Sequence, residues 1–347
     1  MISVSTDKKQ EVSMALNEKK LITVLTGVLV VLALLIVLVL SSRYRDNRKE
    51  DPLSGGSIHT AEEGSNDYTS LTYFNGSTTL AFHRDEAGKW IWSHDETFPL
   101  DDSHVISVVN ALTTLSPQQT LSTVESLEDC GLTQPSASFS AKRGDGSSIS
   151  LSFGNTTTDG KSYYALMNGA ESPVYIFSGE LMELMQMPIY DMYDLPKMPA
   201  LTADRIQKIT IQGPPAEEGE TQLRQSITAA ENNGDLTWDL DGRDVTSSAR
   251  VQGLLEDLAA LEIEKCVVYR PSAKALEICG FTAPAANLWA NYTTDTDLTE
   301  NIQLTVGGLT MDGESRYVRL NGEKTIFRVD TDLLDPLMVI ALSGVEG

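Results

Sequence analysis

The stretch LEDCGLTQP, residues 127–135, returns 149 positions later as LEICGFTAP, residues 276–284, with six of nine letters identical. One match of this length is weak evidence, but matches that recur in order at held spacings mark a duplicated unit. Upstream, Trp92 pairs with Trp238 at an offset of 146. At that same offset Val105, Val108, Val109, Leu112 and Leu115 pair with Val251, Leu254, Leu255, Leu258 and Leu261. Downstream, ISLSFG (149–154) pairs with IQLTVG (302–307), and DGKSYYALMNG (159–169) with DGESRYVRLNG (312–322), both at 153. The offset is constant within each block and changes only between blocks, as insertions confined to loops produce.

Each block has a physical reading. In the opening stretch, LEDCG and LEICG read as a short helical turn ended by Gly131 or Gly280 in the left-handed region, with Pro135 or Pro284 barring continuation. The apolar residues paired at 146 are spaced as one helix face, preceded by Asp101-Asp102 and Ser247-Ser248 where N-caps belong. Asn75-Gly76, Asn168-Gly169 and Asn321-Gly322 mark tight hairpins between alternating runs. Runs at 136–142, 147–153, 162–167 and 173–177 predict an antiparallel meander, and a strand carrying Trp92 or Trp238 inward precedes each helix. Cys130 and Cys279 occupy matching places, so they read as small buried residues in separate units and not as a bridge. A disulfide involving Cys266 is left open. The fold class is therefore α+β, with two tandem homologous repeats built on antiparallel sheets, at residues 68–200 and 201–347.

Ahead of the repeats, residues 21–40 read LITVLTGVLVVLALLIVLVL, twenty residues without a charge. As a helix rising 1.5 Å per residue this run spans about 30 Å, the thickness of a bilayer core. The following SSRYRDNRK stops transfer and offers no small-residue cleavage site, so an uncleaved single transmembrane helix is expected, with a tail at 1–20 and a flexible linker at 41–67. Four Lys/Arg flank the run on each side, which leaves orientation undecided by charge. The chain carries 49 acids against 26 Lys/Arg, a formal charge of −23. Such a body repels phosphate backbones and argues against nucleic-acid binding.

The Trp-bearing strand, the Asp-capped helix, the GLxxP-like turn, the IxLxxG strand and the Asn-Gly hairpin resemble the bacterial domain of unknown function family DUF4340, over roughly residues 70–340. Members of that family commonly follow an N-terminal membrane anchor, and many are encoded beside or fused to ABC-type transport or gliding-motility-like components. The resemblance implies a body outside the cytoplasm on a bacterial cell membrane, hence a cytoplasmic tail at 1–20, with the bilayer and an ABC-type permease or other envelope protein as partners. It carries no catalytic residues, and it usually has an aromatic where Cys130 and Cys279 stand.

No catalytic, cofactor-binding or metal-binding set stands out. His59 lies in the linker, and His83, His94 and His104 follow no ligand spacing. The stretch from Asp295 begins like a calcium loop but has Glu300 and Val306 where Gly and Glu are needed. Asp239, Asp241 and Asp244 read as a solvated turn, and Arg143-Gly144-Asp145 as a hairpin tip. There is no GxSxG, Walker A or GxGxxG. The expected function is a non-catalytic, membrane-anchored extracytoplasmic interaction module of a transporter or envelope complex. The alternative is an extracytoplasmic binding protein for a small ligand, cation or cell-wall glycan, with Tyr163, Tyr164, Trp289 and Tyr292 as candidate aromatic walls.

Overall fold

A computed structural model describes residues 67–346. The apolar run at 21–40, the N-terminal tail, His59 and nearly all of the linker lie outside the described residues. No helix among the described residues is long and apolar enough to cross a membrane.

The first sheet uses β1 (Tyr68–Phe74), β2 (Thr79–Arg84), β3 (Trp90–Trp92), β4 (Gln119–Leu121), β5 (Ala137–Arg143), β6 (Ser148–Thr156), β7 (Ser162–Met167) and β8 (Val174–Ser178), with helices α1 (Ser103–Thr113) and α2 (Glu180–Leu184). The second uses β9 (Ile206–Gln212), β10 (Arg224–Asn232), β11 (Asp235–Leu240), β12 (Arg243–Asp244), β13 (Lys265–Val268), β14 (Ala286–Thr293), β15 (Thr299–Leu309), β16 (Ser315–Leu320) and β17 (Ile326–Asp330). Its helices are α3 (Ala249–Ala260), α4 (Ala273–Ile278) and α5 (Asp335–Ser343). The strand orders are β3-β2-β1-β5-β6-β7-β8-β4 and β12-β11-β10-β9-β14-β15-β16-β17-β13. Without the added edge strand β12 these are the same order. The protein is α+β with two antiparallel sheets.

The pairing register returns the offsets read from the letters. Ala137 faces Phe153 and Ala286 faces Val306, so β5 and β14 differ by 149 while β6 and β15 differ by 153. Leu151 faces Met167 and Leu304 faces Leu320, again 153 on both strands. Since a one-residue slip turns every side chain to the other face, this agreement fixes which residues are core. Val105, Val108, Val109 and Leu112 on α1, and Val251, Leu254, Leu255 and Leu258 on α3, are buried as the helical spacing requires.

Two expectations need correction. The tryptophan that matches Trp238 is Trp90, not Trp92. Trp90 and Trp238 are both fully buried, and their backbone N–H groups donate to side chains ahead of the helix, Asp102 Oδ2 at 3.2 Å and Thr246 Oγ1 at 2.7 Å. Trp92 is half-buried, with Phe98 edge-on at 5.3 Å. Residues 90 and 92 share one face of a strand, so alternation could not choose between them. Ser248 does stand at the N-cap of α3, but its hydroxyl donates to Val345 O at 3.3 Å and not to the helix. All three cysteines are free and buried, which closes the question left at Cys266. Burial pushes the Cys266 thiol up to about 12.

By compactness the described chain forms two units that do not follow a cut at residue 200. Residues through Arg84 join Val105–Gln186, and Asp85–His104 join the chain from Met187 onward. Within the second unit Phe98 is buried edge-on to Tyr193 at 5.4 Å and to Tyr269 at 5.2 Å, and Tyr193 meets Phe327 at 5.6 Å.

Candidate functional site

The duplicated letters turn out to hold a backbone joint. Gly131 and Gly280 have φ of +70° and +83°. Leu132 N donates to Leu127 O and Phe281 N to Leu276 O, both at 2.8 Å, the bond pattern of a left-handed helix end. The turn aims one carbonyl at a strand: Cys130 O accepts from Asn155 N at 2.8 Å, and Cys279 O from Gly308 N at 2.9 Å. A Cβ on Gly154 would lie 2.1 Å from Cys130 O, and one on Gly307 would lie 2.2 Å from Cys279 O. The glycine ending ISLSFG and IQLTVG is therefore the socket for the turn in LEDCG and LEICG. Asn168 and Asn321 both have positive φ, and their Oδ1 atoms accept from Ser150 N at 3.0 Å and Gln303 N at 2.9 Å. Gly169 and Gly322 complete these hairpin turns. These repeated positions are scaffold. Pro135 and Pro284 follow the joints without entering a strand or helix.

Elsewhere the two copies keep geometry but change chemistry. Ser162 donates to Gln118 Oε1 at 2.8 Å, while its counterpart Ser315 donates to Glu264 Oε2 at 3.0 Å, and Glu264 pairs with Arg328 at 2.9 Å. Nothing in the letters alone joined these positions. Beside Gln118 a cavity of about 240 Å³ is lined by Thr114, Leu115, Ser116, Ser178 and Glu180. It is small and its acidic residue, Glu180, is exposed.

A more organised surface lies on the second sheet. Register places twelve residues of β10, β9, β14 and β15 in three rows on one face: Arg224-Gln212-Asn287-Thr305, Ser226-Thr210-Trp289-Gln303 and Thr228-Lys208-Asn291-Asn301. The opposite face carries Ile227, Ile209, Ala290 and Ile302, all buried. The polar rows are internally bonded. Thr210 and Ser226 hydroxyls are 2.8 Å apart, Thr305 donates to Asn287 Oδ1 at 2.9 Å, and Arg224 donates to Gln212 Oε1 at 3.1 Å. The Arg224 guanidinium sits 5.1 Å from the Trp289 ring centroid. Among the four candidate aromatics, Trp289 is thus on the open face. Tyr292 is turned to the core side with its hydroxyl donating to Glu300 at 2.9 Å. Tyr164 packs on the small cluster of Cys130, Leu132 and Val174, and Tyr163 is half-buried on β7.

The remaining candidates have local roles. Asp239 and Asp244 accept from Gly242 N and Thr246 N, both at 2.9 Å, closing turns. Arg143 to Gly146 form the β5–β6 tip, with Arg143 donating to Tyr68 Oη at 3.1 Å. Asp295 pairs with Arg205 at 2.5 Å. His94 lies 5.2 Å from the Trp92 ring. Among the described residues no three His, Cys, Asp or Glu side chains converge as a metal-binding group.

The second unit thus carries an open polar sheet face on a duplicated antiparallel α+β scaffold. A family model for the domain of unknown function DUF4340 matches residues 90–284, more than half of the 347-residue chain, and the chain belongs to that family. No curated protein and no solved structure matches it.

Proposed function

We propose that this protein is a non-catalytic, membrane-anchored extracytoplasmic module that serves an ABC-type transporter or another envelope complex as an accessory subunit. The apolar run at 21–40 and the resemblance set out above support the location. One observation carries the interaction role. Ile278, Leu309 and Met311 are exposed at 69%, 50% and 104%. The bond from Gly308 N to Cys279 O brings Ile278 and Leu309 to the same edge of the second unit. At the offsets of 149 and 153 their counterparts are Asp129, Thr156 and Thr158. One scaffold edge is therefore polar in the first copy and apolar in the second, as expected where only one copy meets a partner. Affinity isolation of the full chain from detergent-solubilised membranes should recover a permease-type protein. The triple substitution Ile278→Glu, Leu309→Glu and Met311→Glu should lose it. Recovery of the chain alone, or undiminished recovery with the triple variant, refutes the reading.

The alternative, a binding protein, is favoured by a different observation: the ordered polar rows around Trp289.

A further inference from the structure

We propose that the open face centred on Trp289 binds an extended, carboxylate-bearing polysaccharide. This rests on the binding-protein reading and is independent of the apolar edge. Residues 187–347 hold 26 acids against 13 Lys/Arg. At that frequency twelve positions would carry about two carboxylates, yet the three rows carry none and hold Lys208 and Arg224. The nearest carboxylate along the rows is Asp239, one strand outside the field across from Thr228, where its Oδ1 accepts from Gly242 N. The face is thus a cationic island on an acidic unit, and an anionic ligand finds its favourable potential there.

Shape selects a polymer. Strands about 4.8 Å apart and rows about 6.6 Å apart make a field of roughly 14 by 13 Å. Nothing in the rows encloses a small molecule, which binds best in a concave site. A chain of sugar rings needs no enclosure, because successive rings lie across a flat field. Indole offers an apolar ring face with a polar N–H, which suits the C–H face of a pyranose and its hydroxyls together. The surrounding amide and hydroxyl side chains both donate and accept, as sugar hydroxyls do. Arg224 is exposed, so a ligand carboxylate can draw its guanidinium off the indole into a two-pronged pairing while the sugar ring takes its place. Lys208, two positions along β9 from Thr210, supplies a second charge.

The first sheet supplies an internal control. Its corresponding rows are Thr79-Phe74-Ser138-Ser152, Ala81-Thr72-Ser140-Ser150 and His83-Ser70-Lys142-Ser148. Ser140 stands where the second sheet has Trp289, and small hydroxyls fill most of the field.

The test is titration of the full chain with polygalacturonate, followed by tryptophan emission and by affinity electrophoresis, with dextran as the neutral polymer. Expected results are a saturable emission change and retarded mobility with polygalacturonate only, both weakened by high salt. Trp289→Ser, which installs the first sheet's residue, and Arg224→Gln should each weaken retardation by about tenfold or more, at an unchanged urea midpoint. The apolar-edge triple variant should bind as wild type does. Absence of binding, equal retardation by dextran, or full binding by a folded Trp289→Ser chain overturns the proposal. None of those results touches capture of a permease, so the two readings fail separately.

Discussion

Gly307 and Gly154 each face a carbonyl oxygen at a distance where no methyl fits. Neither has the positive φ that usually explains a required glycine, so their role is close approach and not conformational freedom. Gly307→Ala should therefore force the Cys279 turn off its strand and cost about 1–3 kcal/mol, the range for overpacking. Gly144→Ala is the matched control, because its nearest neighbour would be Thr69 Cγ2 at 3.7 Å. Urea midpoints of the two variants check this, and equal midpoints would contradict the joint. At this scale the sequence was most readable. Gly131, Gly280, Asn168 and Asn321 declared their backbone conformations through chemistry within a few residues of themselves. The choice between Trp90 and Trp92 was not readable, since strand alternation treats both alike.

The hairpin turns that close β6 to β7 and β15 to β16 repeat one device. Thr157 donates to Asp159 Oδ1 at 2.6 Å and Thr310 to Asp312 Oδ1 at 2.5 Å. Those hydroxyl bonds are the main reason both carboxyls ionise more readily than usual, with backbone N–H donors of Lys161 and Glu314 adding to them. A carboxylate with a folded pKa below its unfolded value stabilises above the unfolded pKa, and that stability disappears as pH falls through the folded pKa. The double substitution Asp159→Asn and Asp312→Asn should lower the urea midpoint at pH 7. The gap to wild type should begin to narrow as pH drops below the ordinary Asp value near 3.8, and vanish once pH has passed the lower folded values. A gap that persists unchanged in acid would rule out the charged form as its source. Element recognition from sequence was good for long alternating runs and poor for β4 and β13. Those strands are three and four residues long, and only distant partners, β8 and β17, define them.

For the molecule as a whole, the repeat seen in the letters and the unit seen in space are different objects. The second unit takes Phe98 and Leu100 from Asp85–His104, and Tyr193 from the stretch after Met187. Residues 201–347 expressed alone lack all three, so Tyr269 and Phe327 lose their aromatic partners. That fragment should bind a hydrophobic dye and unfold over a broad urea range, whereas the same body within residues 67–347 should unfold sharply. A sharp transition at the full chain's midpoint would show that the borrowed segments are dispensable. Sequence could not anticipate the borrowing, because Trp92, Phe98 and Tyr269 have no local pattern linking them. The face around Trp289 was half readable for the same reason: its aromatic residue was evident, but its neighbours exist only through the register of four strands.

Because the polypeptide passes from one unit to the other at residues 84–85, 104–105 and 186–187, scission of any one peptide bond between the repeats leaves the second unit divided over two pieces. Neither piece then holds the whole of that unit. A protease that nicks the chain there should yield two bands in denaturing gels but one particle in native separation, held by aromatic packing after the covalent thread is gone.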